Sequence, residues 1–168
     1  LYWVCCWSYG RWRIINSKEL KKLGFKEVGS FIVESGNVDA VLNASANDIG
    51  SGVYCWILID NQKKAEEVVY VGKYKHTIKT RWGQHKQGFK KNSTGKKNAK
   101  YIHEQLTRKN EIYWWGKQSN SEVITYMNIL NEKVKNSFSV YGADEEDLIA
   151  HITKHDGKPP SLNKTKGG

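Results

Sequence analysis

The sequence predicts an α+β fold in which a small central antiparallel sheet of about three strands is flanked by helices. Two runs rich in β-branched and aromatic residues, 53–59 and 68–71, lie on either side of a polar stretch with turn character. A segment with helical spacing of apolar residues, 77–87, follows them. The length of 168 residues suits one domain with a hydrophobic core.

The predicted elements of this domain lie between residues 52 and 154. We expect strands at about 52–59, 67–72 and 111–116, and helices near 77–87, 97–108, 121–134 and 144–154. Residues 1–48 are expected to form an N-terminal appendage for target recognition or dimerisation, with a short strand at Phe31–Val33. The small polar stretch 43–50 would link this appendage to the domain at 49–168.

Two mirrored tripeptides occur in the first predicted hairpin, GVY at 52–54 and YVG at 70–72. If the hairpin is centred near Gln62, Tyr54 pairs with Tyr70 and the two outer glycines pair with each other. Paired side chains share a face, with Cβ atoms about 5 Å apart. The pattern therefore predicts two adjacent phenols, with glycines that leave the strand ends open to a ligand. An ordinary aromatic pair in a half-buried sheet is the alternative.

The helix predicted at 77–87 carries charged residues on its inward face. Four residues share that face through a spacing of i, i+3, i+4 and i+7: Ile78, Arg81, Trp82 and His85. Ile78 and Trp82 mark the face as the buried one. A buried guanidinium needs an anionic partner, and either a phosphate or a protein carboxylate would satisfy it.

The balance of charge indicates a polyanionic partner. The chain has 27 Lys and Arg against 17 Asp and Glu, a formal net charge of +10, and such a field favours salt-dependent nucleic-acid binding. The basic residues cluster from Lys73 to Lys100, a segment without acids. A solvated surface is one alternative, and an anionic membrane is a weaker one because the segment lacks a long amphipathic helix. The lysine-rich stretch 90–97 is expected to be a loop that is either solvated or in contact with a nucleic-acid backbone.

One carboxylate is predicted on the buried face of the last helix. The acids at 144–147 suit a capped helix start, with Asp144 as the N-cap. Glu145 shares the face of the apolar residues that follow it, whereas Glu146 is rotated from it by about 100° and is expected to face solvent. A carboxylate on the buried face is costly unless it meets a cation.

The order of these motifs resembles the GIY-YIG endonuclease family. The pieces are G-V-Y, fifteen residues, Y-V-G-K, R-W-x-x-H, then E-E-D-L-I at 145–149 and P-S-L-N at 160–163. Valine stands at 53 and 71, where the family usually has isoleucine. The resemblance covers about 50–168 and implies a GIY-YIG nuclease-like fold. It also implies a divalent-metal-dependent endonuclease that hydrolyses phosphodiester bonds in double-stranded DNA, most similar to the family's small type II restriction endonucleases.

The resemblance implies a role for each motif residue. Tyr54 would be the general base, Tyr70 and His85 would orient it or the water, and Arg81 would contact the scissile phosphate. Glu145 would hold one Mg²⁺ ion, for which Mn²⁺ could substitute. The predicted catalytic residues are Tyr54, Tyr70, Lys73, Arg81, His85 and Glu145, and the predicted substrate contacts are Gly72, Lys73, Arg81, Lys90, Lys91, Lys96, Lys97 and Asn163.

The protonation state of Tyr54 is central to this chemistry. A free tyrosine has a pKa near 10 and is a weak base at neutral pH. We expect positive charge from Lys73 and a metal ion to lower the pKa of Tyr54.

Two classes of function stay open. The first is the endonuclease, with a restriction-like role or a role in DNA repair, junction cutting or mobile elements. The second is a non-catalytic nucleic-acid-binding protein with the same fold. Because one domain presents one site and a duplex break needs two cuts, the endonuclease is expected to act as a homodimer.

Cysteine usage predicts a reducing, cytoplasmic compartment. The chain has an odd number of cysteines, Cys5, Cys6 and Cys55, which argues against a disulfide framework or a zinc module. The apolar start, Leu1–Trp7, is too short for a secretory signal. No apolar run approaches the length that crosses a bilayer, so we expect no membrane partner.

Overall fold

A computed structural model of the protein describes residues 15–48 and 50–163. Its elements, in chain order, are α1 (Ser17–Lys22), β1 (Lys26–Glu34), β2 (Asn37–Leu42), a 3-10 turn (Ala44–Asn47), β3 (Gly52–Asp60), β4 (Ala65–Tyr74), α2 (Ile78–Lys91), α3 (Ser93–Thr107), β5 (Glu111–Gln118), β6 (Ser121–Met127), β7 (Lys133–Ser139) and α4 (Tyr141–Asp156). The α+β class is therefore confirmed. Cys5 and Cys6 lie outside the described residues, and no helix within them is long and apolar enough to span a membrane.

The main sheet has five antiparallel strands in the order β2-β1-β5-β3-β4, and not about three. The two additional strands come from the segment that was expected to be an appendage. β1 pairs with β5, and β2 pairs with β1, so residues 26–42 are part of the same sheet as the mirrored tripeptides. The short strand expected at Phe31–Val33 is the second half of β1. A role of this segment in recognition or dimerisation stays a prediction.

The sheet is covered by helices on both faces, and β3 is the strand buried on both sides. Its alternate residues Tyr54, Trp56 and Leu58 pack in the cluster that includes α2 and α3. Val53, Cys55 and Ile57 pack in the cluster that includes α1 and α4. The period of two along a strand explains this division. It also confirms that Cys55 faces away from Tyr54 and belongs to the core.

The register of the β3–β4 hairpin differs from the predicted one. Tyr54 lies opposite Gly72, and Tyr70 lies opposite Trp56. The pairing shifts by one residue after Trp56, so Val69 is the extra residue of a β-bulge. The two tyrosines are therefore diagonal neighbours and not a direct pair. They still share a face, because Tyr54 and Trp56 are two residues apart on one strand.

The lysine-rich stretch 90–97 is not a loop. α2 continues to Lys91 and α3 begins at Ser93, with Asn92 as the C-cap of the first helix and the N-cap of the second. The two helices approach closely where Gly88 meets Gly95, since a Cβ atom at Gly95 would collide with the main-chain carbonyl of Gly88. The small residues that suggested a loop are thus required by helix capping and helix contact.

The helix predicted at 121–134 is wrong, and the last helix starts earlier than predicted. Residues 121–139 form the separate two-stranded hairpin β6–β7, because alternating β-branched and polar residues suit a strand better than a helix.

α4 begins at Tyr141, and its N-cap residue Val140 makes no side-chain capping hydrogen bond. Asp144 therefore lies inside the first turn and is not the N-cap.

A matched pair of glycine substitutions tests the α2–α3 contact. Gly95→Ala should lower the free energy of unfolding by about 1–3 kcal/mol, because the added methyl group overpacks a rigid backbone contact. Gly83→Ala on the exposed side of α2 should raise it by about 0.5–1 kcal/mol, since a Cβ there meets no atom within 4 Å. Urea unfolding measures both values, and equal effects would contradict the close contact.

Candidate active site

The hydroxyl group of Tyr54 is the centre of the candidate site. The residue is fully buried, and its hydroxyl oxygen lies 2.5 Å from Nε2 of His85. Nε of Arg81 donates a hydrogen bond to the same oxygen over 3.3 Å. Arg81 and His85 lie one turn apart on α2, as their spacing predicted. Among the described residues, the guanidinium thus bonds to the Tyr54 phenol and to the Gln84 side chain, and it is not paired with a protein carboxylate.

Local packing explains why these three side chains meet. Thr77 caps α2 by accepting a hydrogen bond from Thr80 N over 2.9 Å, and Ile78 and Trp82 bury the adjacent helical face. Gly72 leaves the space that the phenol occupies, because a Cβ atom there would lie 2.5 Å from the Tyr54 hydroxyl oxygen. The side chain of Tyr54 therefore requires glycine at position 72. This requirement is stricter than the predicted one, in which the glycine leaves the strand end open to a ligand.

Burial sets the protonation states of the pair. Desolvation raises the pKa of Tyr54 well above its usual value, and the nearby Arg81 opposes that shift only in part. The expectation that Lys73 lowers this pKa is not met by the structure, because the cation beside the phenol is Arg81. Desolvation and the Arg81 charge lower the pKa of His85 to about 3. A neutral phenol thus faces a neutral imidazole, which accepts the phenol proton at Nε2 when its own proton is on Nδ1.

Tyr70 lies beside this pair. Its ring centroid is 5.9 Å from that of Tyr54 and 5.8 Å from that of His85. It stacks on Trp56 with a centroid distance of 4.3 Å and also interacts with the Arg81 guanidinium. Tyr70 therefore lies against Tyr54, His85 and Arg81, and its role in orienting them stays a prediction.

Lys73 and Glu145 form an ion pair at the same end of the sheet. Lys73 Nζ lies 2.9 Å from Glu145 Oε2, and the Glu145 side chain is 19% exposed. The Glu145 carboxylate raises the pKa of Lys73 above its usual value. The predicted helical phase is confirmed, because Leu148 and Ile152 are buried on this side of α4 and Glu146 is exposed.

A cleft of about 200 Å³ is lined by one residue of each group, Arg81 of α2 and Lys73 of β4. Tyr54, His85 and Glu145 lie behind these two residues and are not part of its lining. Two of its residues were missed by the sequence analysis. Gln84 accepts a hydrogen bond from Arg81 Nη1 over 2.7 Å, and its i+3 spacing was a readable signal. Tyr141 lies one turn before Glu145, a signal hidden by placing the helix start at 144.

Two groups of predicted substrate contacts differ in what the structure shows. Asn163 accepts a hydrogen bond from Val71 N and donates one to Val71 O, both over 2.8 Å. Its amide therefore bonds to the main chain of the edge strand β4, and a contact of Asn163 with the substrate stays a prediction. The lysines at the α2–α3 junction are exposed: Lys90, Lys91, Lys96 and Lys97. Lys90 lies about 14 Å along α2 from Arg81.

Glu145 is the carboxylate that could hold a metal ion at this site. Among the described residues, no group of three or more His, Cys, Asp or Glu side chains is arranged around a metal position. One carboxylate next to open cleft suits Mg²⁺, which keeps most of its water ligands. The pairing of Glu145 with Lys73 also shows that a cation is accommodated here. A larger pocket of about 270 Å³ beside α4 includes Asp144, Asp147 and His151, but none of the predicted site residues.

Comparisons with known proteins identify the fold. No family model matches the chain, and no curated protein does. A solved structure of a mutant of bacteriophage T4 EndoII is similar over 89% of this chain and 100% of its own, with a TM-score of 0.61 and 15% sequence identity. Restriction endonuclease HPY188I in complex with product DNA aligns over 90% of this chain and 88% of its own, with a TM-score of 0.44 and 16% identity. The first likeness shows that the chain has the fold of the EndoII structure.

The lowered pKa of His85 predicts a pH dependence of stability. Below pH 6.5 the unfolded chain binds a proton at His85 that the folded chain does not bind until about pH 3. Stability is therefore lost as the pH falls through this window, by about 2 kcal/mol between pH 7 and pH 5. Urea unfolding of the wild type and of His85→Gln at both pH values isolates the contribution of His85 to the change in unfolding free energy. The same pH dependence in both proteins would contradict a buried neutral imidazole.

Proposed function

We propose that the protein is a divalent-metal-dependent endonuclease that hydrolyses phosphodiester bonds in double-stranded DNA. The observation that carries the proposal is the buried Tyr54 hydroxyl, held by His85 Nε2 and the Arg81 guanidinium beside an open cleft. The sequence resemblance assigns catalytic roles to the same residues. The EndoII-like fold is compatible with this function, and the net charge of +10 suits a polyanionic substrate.

Two cations at the cleft would bind the scissile phosphate. Arg81 has one face towards Tyr54 and is fixed by Gln84 through its Nη1 atom. A guanidinium held in this way matches the geometry of phosphate oxygens and stabilises the charge that develops on them. Lys73 on the opposite side of the cleft adds a second positive charge when DNA competes with Glu145 for it.

The Tyr54–His85 contact offers a route for the proton of the attacking water. Since the pKa of Tyr54 is raised, very little phenolate exists at neutral pH. The phenol oxygen would take the water proton while the phenol proton moves to Nε2 of His85, whose low pKa in the free protein would be raised by the negative charge of the bound phosphate. The imidazole then carries the proton, and the hydroxide formed attacks phosphorus. Arg81 stabilises the tyrosine oxygen during the transfer.

Glu145 would hold the divalent ion, with Mg²⁺ as the expected metal and Mn²⁺ as a substitute. When bound, the ion would supply Lewis-acid stabilisation of the phosphate and the leaving oxygen. Glu145 is half-buried beside Lys73, a residue of the cleft, and this burial limits competition from bulk water for the carboxylate. Metal binding there would release Lys73 to the phosphate.

A restriction-like role and a homodimer on DNA complete the proposal. Digestion of mixed plasmid and phage DNA with Mg²⁺ tests the role directly. Discrete bands would indicate a recognition sequence, a smear would indicate an unspecific or structure-directed nuclease, and undigested DNA in every buffer would favour a protein that only binds. Sedimentation of the protein with a cleavable duplex tests the dimer.

Replacement of the two tyrosines separates their roles. Tyr54→Phe keeps the ring but removes the hydroxyl that bonds to His85 and Arg81. It should lower the cleavage rate by about 10²–10⁴-fold while the Kd for DNA stays near wild type. Tyr70→Phe is the matched control and should lower the rate less. Single-turnover cleavage and anisotropy give the two quantities, and full activity of Tyr54→Phe would refute the tyrosine route.

Replacement of the neighbouring glutamates identifies the metal ligand. Glu145→Gln should abolish Mg²⁺-dependent cleavage and bind DNA at least as tightly, because a negative charge beside the phosphate is removed. Glu146→Gln should cut at nearly the wild-type rate, since that side chain faces the exposed side of α4. Calorimetric titration with Mg²⁺ gives a readout besides activity, and excess EDTA should stop the wild type. A dead Glu146→Gln with an active Glu145→Gln would reverse the assignment.

A further inference from the structure

The β6–β7 hairpin forms a sheet of its own, and its base is bonded to the residue that precedes β3. Ser139, at the end of β7, is bonded through its hydroxyl to the hydroxyl of Ser51 over 2.5 Å. Ser119 N donates to Ser51 O over 2.8 Å at the start of the hairpin. Ser51 directly precedes β3, and the cleft residue Tyr141 follows the hairpin after Val140 alone. The base of the hairpin is therefore positioned by the catalytic end of the sheet.

One face of the hairpin has the composition of a phosphate-binding surface. Directly paired residues share a face, and the pairs on this one are Ser121–Ser139, Val123–Ser137, Thr125–Lys135 and Met127–Lys133. The face thus carries two lysines and four hydroxyl groups, and it has no carboxylate. Apart from Ser139 at the base, its residues are exposed. Lysines and hydroxyl groups are the side chains that contact DNA phosphates.

The tip of the hairpin presents two large apolar side chains to solvent. Ile129 is 97% exposed and Leu130 is 71% exposed. The turn that holds them is ordered by Asn128, whose Oδ1 accepts hydrogen bonds from Leu130 N and Glu132 N. Asn128 Nδ2 also donates to the Glu132 carboxylate. The tip is therefore a turn ordered by side-chain hydrogen bonds, and its two apolar side chains are exposed to solvent.

We propose that this hairpin is a DNA arm, which rests on the proposed function. Its lysine-bearing face would lie along the phosphates of the duplex that occupies the cleft, and Ile129 and Leu130 would enter the groove as a wedge. Seven residues per strand give the arm a length of about 23 Å, enough to follow the minor groove, in which β-ribbon proteins also bind. Apolar side chains of this type partly unstack base steps in bent DNA.

Duplex DNA fits this surface better than a second copy of the chain. The core of a protein–protein interface is depleted in lysine, whereas Lys133 and Lys135 stand in the middle and near the tip of the exposed face. The face is also continuous, through Ser139 and Ser51, with the end of the sheet that forms the cleft.

The lysine face is tested by the salt dependence of DNA binding. Lys133→Gln combined with Lys135→Gln should weaken binding of a 30-base-pair duplex in EDTA at least tenfold and lower the slope of log K against log salt by about 2. The matched control is Lys63→Gln with Lys64→Gln. These lysines lie in the turn at the opposite end of β3, about 27 Å from Gly52, and their loss should leave the slope within experimental error.

The tip is tested by a probe of base stacking. Wild-type protein should raise the fluorescence of 2-aminopurine placed within ten base pairs of the cut, because the wedge unstacks it. Ile129→Gln combined with Leu130→Gln should lose this rise while keeping the salt slope. Both residues are exposed, so the fold is expected to persist, and an unchanged thermal unfolding curve would verify it.

The outcomes separate the arm from the proposed nuclease function. If the wild type cuts DNA and both hairpin variants keep its affinity, slope and fluorescence, the arm is refuted and the nuclease stands. If the variants instead sediment as monomers while the wild type is a dimer, with unchanged salt slopes, the hairpin joins two copies and the arm is refuted. If the wild type neither binds nor cuts duplex DNA, both proposals fail together.

Discussion

The burial of the Tyr54 hydroxyl beneath α2 is the constraint on which the rest of the site depends. A polar group taken out of water costs about 1–3 kcal/mol unless it is hydrogen-bonded, and only His85 and Arg81 approach it from the helix. These two bonds fix the rotation of α2 against β3. Gly72 is the condition for this arrangement, because any side chain there would occupy the position of the phenol. The same burial keeps the phenol and the imidazole neutral.

The two sides of the sheet provide different electrostatic environments, and the cleft lies where they meet. Tyr54 lies on one face beside the neutral His85 and the charged Arg81, whereas Lys73 lies opposite Val53 on β3 and shares the other face with Glu145 on α4. Alternation along a strand separates such residues across the sheet. Residues from the two faces reach the same cleft because β3 begins and β4 ends beside it. The hairpin β6–β7 starts from the same end, which gives this region both the charged residues and the projecting arm.

The parts of the fold that were predicted correctly carry strong local signals. The spacing of Arg81 and His85 placed them on one helical face, and the phase of Glu145 separated it from Glu146. Predictions failed where local propensity is ambiguous or where the register depends on a distant contact. The β-bulge at Val69 shifts the pairing of Tyr70 with β3 by one position, and no residue in the hairpin sequence predicts this bulge. The small polar residues around Asn92 suggest a loop, but they cap and separate two helices.

The α+β class, the hairpin with its two tyrosines on one face, and the charged residues on buried helical faces could all be predicted from the amino-acid sequence. These features depend on periodicity and residue chemistry, which are local. Tertiary packing was needed to show that β1 and β2 complete a five-stranded sheet and that Asn163 bonds to the main chain of the edge strand β4. It also decided that Arg81, and not Lys73, stands beside Tyr54. Such outcomes depend on which distant segments pack together and on how far burial removes a group from water, and neither is encoded in the spacing of residues along the chain.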